Sequence, residues 1–263
     1  MTNPTNPEGV FEPDGWDARF RVGLLVPEGD VGPESEWSAI APTGISINAS
    51  RFQFPVASAE RAVNMIATAP VEFVAAPGPL DAAVAGLSAS VIDIFSLAFT
   101  STSYVADDAE LVERLSAVAD GRPVVTTGQA LLAAVAHLGA RRVMLVDPPW
   151  FPTDLTQLGA DWLKRNGVEV SAAEAAGIPS GQGNVHPGAL YRWLRTSIAP
   201  DTDAILIGGN GFRAVGIVRA IEADTGVPVI TANTALLWQT LRTLGLSTDT
   251  VTRYGQLFSS DRG

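Results

Sequence analysis

Gly121-Arg-Pro-Val-Val-Thr126, followed by Ala130-Leu131-Leu132, returns later in the chain as Gly226-Val-Pro-Val-Ile-Thr231 followed by Ala235-Leu236-Leu237. Seven of the twelve positions from 121 to 132 and from 226 to 237 are identical, and each segment runs on to a Leu-Gly pair, Leu138-Gly139 and Leu244-Gly245. Upstream of each phrase a strand-like run, one ending near Ala98 and the other at Ile207, enters a loop rich in Gly, Ser, Thr or Asn. Earlier still, Arg21-Val-Gly-Leu-Leu-Val-Pro27 is matched in kind by Arg142-Val-Met-Leu-Val-Asp-Pro148. A repeat of roughly 105 residues is too long for a solenoid unit and reads as two similar lobes. The bland alternative is that Gly-x-Pro-Val-x-Thr is only a common way into a strand.

The rest of the chain fits the two-lobe reading. Short apolar runs (Val22–Val26, Ile45–Ala49, Val91–Leu97, Val124–Thr126, Val143–Val146, Val168–Ser171, Ala204–Ile207 and Val229–Thr231) alternate with stretches of helical spacing. The helical stretches include Ala130–Leu138, Leu155–Arg165, Ala189–Ile198 and Phe212–Ala223. Runs that are apolar throughout and bounded by turn residues predict strands buried on both faces, hence parallel sheets in a βαβ series. The fold class expected is α/β, with two pseudo-symmetric lobes, each a roughly four-stranded parallel sheet flanked by helices, and a ligand cleft between them. Lobe 1 is read as 15–126 plus 233–263 and lobe 2 as 127–232, after a flexible N-terminal segment, 1–14.

Bulk composition narrows the function. A formal charge of −11 repels phosphate backbones and anionic membranes, so neither nucleic acid nor membrane is an expected partner. The apolar runs are too short to span a bilayer, and the segment before Asp14 has no signal-peptide pattern, so the expected location is cytoplasmic. With no cysteine there is no disulfide, no thiolate metal site and no thiol nucleophile. The two histidines, His137 and His186, have no metal-ligand spacing. No Gly-x-Ser-x-Gly elbow supports a catalytic triad around His186.

In open α/β sheets ligands lie beyond the carboxyl ends of the strands, so four strand-end loops are candidates. Pro27-Glu-Gly-Asp30-Val-Gly-Pro-Glu34 brings a carboxylate, Asp30, to the cleft, where burial would raise its proton affinity; otherwise Glu28, Asp30, Glu34 and Glu36 are a solvated acidic loop. Phe99-Thr100-Ser101-Thr102-Ser103-Tyr104 opens a helix that runs on toward Ala119. Its hydroxyls and amides suit an anion, or one of them merely caps the helix. Gly208-Gly209-Asn210-Gly211 allows close backbone approach to a ligand, or is a simple tight turn. Its spacing fits neither a dinucleotide fingerprint nor a Walker A loop, and no cofactor or metal is expected. Asp147-Pro-Pro-Trp150-Phe151-Pro152 offers an apolar wall, or plain packing between lobes.

Taken in this order and at these spacings, the motifs Val22–Pro27, Phe99–Tyr104, Arg142–Val146 with its aromatic loop, Ile178-Pro with Asn184-Val185, Asp203–Ile207 and the two Pro-Val strands resemble the aspartate/glutamate racemase superfamily. The similarity is to its maleate isomerase and arylmalonate decarboxylase branch, and it covers Val22 to about Phe258. The resemblance implies a small carboxylate held between two lobes, with one or two loop cysteines for proton transfer or covalent attack, and a homo-oligomer. It gives Thr100, Ser101, Ser103, the amides of Gly209 to Gly211 and the Asn184 side chain a substrate-binding role. It also places Phe99 at the first cysteine position, Gly209 or Asn210 at the second, and Trp150 where a tyrosine is usual. Phe99 can neither attack a double bond nor carry a proton, so a two-cysteine racemase mechanism and a cysteine adduct are both excluded.

Two readings follow. One is a cysteine-independent enzyme acting on a small carboxylate or related carbonyl compound, of decarboxylase, isomerase or hydrolase type. Asp30 would be its general acid/base, assisted by Asn210 or His186, with Phe99 and Trp150 as apolar walls. The other is a non-catalytic binding or regulatory protein on the same scaffold.

Overall fold

The computed structural model describes Trp16 and residues 18–55 and 68–259. The N-terminal segment 1–14, and the outermost residues of lobe 1 as read above (15 and 260–263), lie outside the described residues.

The repeated phrase encodes the same local structure twice. Gly121 (φ +79°) and Gly226 (φ +72°) adopt the left-handed conformation that turns the chain out of the preceding helix. The apolar residues that follow form β4 (Val124–Thr126) and β8 (Val229–Thr231). The closing threonine then caps the next helix: Thr126 Oγ1 accepts from Gln129 N at 3.2 Å, and Thr231 Oγ1 from Thr234 N at 3.1 Å. One short sequence therefore specifies a helix stop, a buried strand and a helix start.

Two parallel sheets result. β1 (Phe20–Pro27), β2 (Ile45–Phe52), β3 (Ile94–Leu97) and β4 run in the order β2-β1-β3-β4. β5 (Arg142–Asp147), β6 (Glu169–Ala175), β7 (Ala204–Ile207) and β8 run in the order β6-β5-β7-β8. The match extends to single bonds. Asp93 Oδ2 accepts from Arg21 N at 2.7 Å, and Asp203 Oδ2 from Arg142 N at 2.8 Å. At the other end, Ala98 N donates to Leu25 O and Gly208 N to Val146 O, both at 2.9 Å. The structure is therefore a pair of pseudo-symmetric parallel sheets, each flanked by helices.

The helices are α1 (Gly32–Ile40), α2 (Thr68–Ala75), α3 (Pro79–Ser88), α4 (Thr102–Val105), α5 (Asp108–Val118), α6 (Thr127–His137), α7 (Thr153–Arg165), α8 (Pro187–Ser197), α9 (Val218–Thr225) and α10 (Ala232–Thr243). α6 and α10 pack on each other, with the His137 and Trp238 rings 4.9 Å apart. α10 follows the second sheet but lies against β3 and β4 of the first, where Thr240 Oγ1 and Ser96 Oγ share a buried hydrogen bond of 2.8 Å. Among the described residues no helix is long and apolar enough to cross a membrane. No group of three or more His, Asp or Glu among them is placed to hold a metal ion.

Three local expectations need correction. The run Val91–Leu97 becomes a strand only at Ile94, because Ile92 N turns back onto Ser90 O and Val91 is 70% exposed. The helix expected from the hydroxyl loop to Ala119 breaks in two, because Asp107 starts α5 by accepting from Ala109 N and Glu110 N. The helix expected over Phe212–Ala223 begins late, with a 3-10 turn at Val215–Ile217. There the amides of Ala214 and Val215 are taken by the buried Glu36 carboxylate, at 2.8 and 3.0 Å.

Candidate active site

The carboxyl ends of β1 and β3 face those of β5 and β7 across a small cavity of about 30 Å³, room for roughly one water molecule. Asp30, Phe54, Phe99, Thr100 and Ser101 line one side; Trp150, Phe151 and Gly209 to Gly211 line the other. Phe99 is wedged edge-on between Phe52 and Phe54, with ring centroids 5.6 and 5.3 Å away. Trp150 meets Phe212 edge-on at 5.9 Å. The walls are aromatic, and the polar groups are few.

The hydroxyls after β3 have separate duties. Thr102 Oγ1 donates to Phe99 O at 2.8 Å, closing its own turn. Ser103 Oγ donates to Asp108 Oδ1 at 2.9 Å and lies against Gly128, away from the cavity. Thr100 Oγ1 donates to Asn210 Oδ1 at 2.8 Å and accepts from Gly209 N at 3.1 Å, tying the two loops together. Ser101 stands at the helix start without capping it. Its hydroxyl is buried in the cavity wall and has no hydrogen-bond partner. A buried hydroxyl left unpaired costs about 1–3 kcal/mol, so this one is open to a water or a ligand atom in the cavity.

Asn210 is bonded at both ends of its amide. Oδ1 accepts from Thr100 N (2.9 Å), Thr100 Oγ1 and Thr127 Oγ1 (3.2 Å), and Nδ2 donates to Asn233 Oδ1 at 2.9 Å. Asn233 in turn donates to Glu36 Oε2 at 2.7 Å. Burial raises the Glu36 pKa, opposed by these donors and by the Ala214 and Val215 amides. This chain of bonds crosses from lobe to lobe, so the Asn210 side chain aligns Thr100 and the glycine loop rather than facing a substrate.

The strand register identifies which positions correspond. Leu97 pairs with Thr126 and Ile207 with Thr231, so Phe99 and Gly209 are counterparts, as are Thr100 and Asn210. Gly209 has φ +74°, and a β-carbon there would lie 2.2 Å from the Pro148 ring. The side-chain space at Gly209 is thus filled by a proline, while Phe99 fills its own with a phenyl ring.

Asp30 is held from both lobes. Gln182, in the 3-10 turn Gln182–Asn184 of the second lobe, donates Nε2 to Asp30 Oδ1 and accepts at Oε1 from Val31 N at 3.3 Å. Gly211 makes room for this contact: a β-carbon there would lie 2.8 Å from Gln182 Nε2 and 2.9 Å from both Asp30 carboxyl oxygens. Arg51 on β2 donates to Pro27 O at 3.0 Å and to Asp30 O, and pairs with Glu34. Burial raises the Asp30 pKa to about 6 against the lowering effects of Gln182 and Arg51. A carboxyl of that strength exchanges protons near neutrality.

A second buried carboxyl, Asp147 at the end of β5, accepts from Tyr104 OH at 3.0 Å. Burial raises its pKa to about 7. The Tyr104 and Thr156 hydroxyls beside it act the other way, favouring the charged carboxylate.

The expected site residues therefore separate. Asp30, Phe99, Thr100, Ser101, Trp150, Gly209, Asn210 and Gly211 share one cavity. Ser103 is turned to Asp108. Asn184 is exposed, its amide donating to Ser180 O at 2.7 Å, and His186 is exposed at the start of α8. Gln182, Asn233, Glu36 and Asp147 were not singled out as site residues. Gln182 lies in the same loop as Asn184, but nothing in its local sequence marks which amide reaches across.

The fold is shared with known proteins. The sequence model of the family described as arylmalonate decarboxylase matches residues 73–258. A maleate isomerase of Pseudomonas putida is 24% identical over 237 residues, 86% of this chain and 92% of that protein. Arylmalonate decarboxylase of Bordetella bronchiseptica is 27% identical over 144 residues, 53% of this chain and 59% of that protein. The crystal structure of a cysteine-to-alanine variant of a Pseudomonas putida maleate isomerase with maleate superposes with a TM-score of 0.80 at 25% identity, over 92% of this chain and 98% of the other. Fold and sequence agree: this chain belongs to the arylmalonate decarboxylase family, in the maleate isomerase/arylmalonate decarboxylase branch of the aspartate/glutamate racemase superfamily, as a member with no cysteine.

Proposed function

We propose that this protein is an enzyme acting, without a cysteine, on a small carboxylate or related carbonyl compound bound between the lobes, with Asp30 as the general acid/base. The observation that carries the proposal is the sharing of one aromatic-walled cavity by Asp30 and the unpartnered Ser101 hydroxyl. Among the family's reactions decarboxylation suits this wall best. The departing carboxylate loses its charge as carbon dioxide, which an apolar pocket favours, while the bonding electrons pass to an enolate. The Ser101 hydroxyl would donate to the enolate oxygen, and protonated Asp30 would deliver a proton to the carbon and then be reprotonated from water. Thr100, Asn210 and the Gly209 to Gly211 backbone shape the anion-binding side; Phe99 and Trp150 exclude water.

A general acid must hold its proton, so turnover should fall as pH rises through about 6, the Asp30 value. A thermal-shift screen with small mono- and dicarboxylates finds the ligand class, since binding to the folded state raises the melting temperature. Asp30→Asn should then abolish turnover and keep that thermal shift; unchanged turnover would refute the assigned role.

A second reading, a non-catalytic binding protein, is favoured by one observation: Phe99, at the position where the resemblance puts the first thiol, lines a cavity with only about 30 Å³ open. Screening with no turnover of any bound carboxylate supports it. The lobe division 15–126 plus 233–263 and 127–232, a cytoplasmic setting and a homo-oligomer are parts of the same proposal. The first is supported by the packing of α10 against β3 and β4, and the second by the absence of cysteine.

A further inference from the structure

We infer that Gln182 is a positioning residue for Asp30: its side-chain amide bridges the two lobes, fixes the Asp30 carboxyl above Gly211 and backs the cavity at that edge. The inference rests on the proposed role of Asp30.

Both ends of the Gln182 amide are engaged on the same loop. Nε2 donates to Asp30 Oδ1, and Oε1 accepts from Val31 N, the next residue. A two-point contact of this kind fixes the direction of a carboxyl, which a single bond to a flexible side chain does not. The backbone opposite is shaped to receive it. Gly211 has no β-carbon in the space that the amide and the carboxyl occupy, and a β-carbon on Gly32 would lie 2.9 Å from Asn210 O. The loop after β1 and the glycine loop thus touch backbone to backbone, with Gln182 laid over the junction.

Two consequences follow. A cavity with space for about one water admits a larger molecule only if an edge opens. The Gln182 contact lies behind the lining residues Asp30 and Gly211, a part-buried side-chain bond between residues 152 apart in sequence. Parting it also removes a donor from Asp30. The charged group facing Asp30 is Arg51 of β2, itself paired with Glu34 of α1. Where an apolar side chain of similar length replaces Gln182, burial and Arg51 remain, and the carboxyl holds its proton more firmly.

The test needs no substrate. Asp30 is titrated by carboxyl-carbon NMR in the wild type, in Gln182→Met, which keeps the length and loses both polar bonds, and in Gln182→Glu. The resonance is assigned by its loss in Asp30→Asn. The wild-type midpoint should lie near pH 6. Gln182→Met should raise it by about one unit, as loss of a hydrogen bond to a charged carboxylate predicts, and Gln182→Glu by at least as much, through like-charge repulsion. Midpoints within about 0.2 units of wild type in the variants that fold overturn the inference. With a turnover substrate, the fall in rate at rising pH should move upward in the same variants. Loss of turnover in Asp30→Asn with an unmoved limb in Gln182→Met defeats the positioning role alone. Full turnover in Asp30→Asn defeats the proposed function, while the NMR titration still decides the Gln182 contact.

Discussion

The loops that follow β3 and β7 occupy equivalent places and are built from opposite materials. Ala98-Phe99-Thr100-Ser101 fills its side of the cavity with side chains; Gly208-Gly209-Asn210-Gly211 leaves nearly all of its side to neighbours. The difference begins one strand away. The counterpart of Asp147 is Val26, since Leu25 and Val146 accept the equivalent bonds from Ala98 and Gly208. Val26 leaves room for a methyl group at Ala98. Asp147 and its partner Tyr104 do not: a β-carbon on Gly208 would lie 2.3 Å from Asp147 Oδ1 and 2.9 Å from the Tyr104 hydroxyl. Pro148 and the Asp30–Gln182 contact likewise occupy the side-chain space of Gly209 and Gly211. The second loop is glycine-rich because other residues have moved into it. A duplicated scaffold thereby acquires an asymmetric site, with aromatic and hydroxyl groups on one face and bare backbone on the other.

The sharpest way to break this comparison is to place a thiol at each equivalent position. We predict that Gly209→Cys costs about 4 kcal/mol or more, from the Pro148 overlap and the left-handed backbone. Phe99→Cys should cost about 3 kcal/mol as a truncated core aromatic but still fold. Denaturant melts that rank the two variants the other way would contradict the assigned packing. The next pair is individually less costly. Gly208→Ala should destabilise by about 3 kcal/mol through overpacking, whereas Ala98→Gly should cost only about 1 kcal/mol in chain entropy. Equal shifts in midpoint would show that Asp147 and Tyr104 do not press on Gly208.

A further effect is visible only as a function of pH. Asp147 has a folded-state pKa of about 7 against an ordinary 3.8. Between these values the folded chain holds a proton that the unfolded chain has lost, so stability falls as pH rises through that window. The full difference is about 4 kcal/mol for a shift of this size. In Asp147→Asn the window should disappear, leaving the variant the more stable form at pH 8 and not at pH 4. Parallel stability curves for the two proteins would mean that Asp147 does not carry this titration.

Much of the architecture was legible because it is local. Apolar runs bounded by turn residues located each of the strands, and the Gly-x-Pro-Val-x-Thr phrase located a helix stop, a strand and a helix cap twice over. Boundaries failed where a distant group competed for backbone amides. Glu36, which the sequence offered as part of a solvated acidic loop, is buried and holds the amides of Ala214 and Val215, delaying the helix there. Within the hydroxyl loop, four side chains of similar chemistry could not be ranked by spacing. Their fates depend on Asp108, Phe99 O and Asn210, and only Ser101 is left without a partner.

By itself, then, the sequence determined the duplicated α/β scaffold, the strand-end loops that face the cleft and the exclusion of thiol chemistry, because these follow from periodicity, turn residues and composition. Only the tertiary structure decided that Gly209 is the counterpart of Phe99, that Asn210 is consumed in bonds between the lobes, and that Gln182 rather than Asn184 reaches Asp30. These are contacts between residues far apart in the chain. They form after the two lobes dock, and which polar atoms they leave unpaired depends on the geometry of that docking.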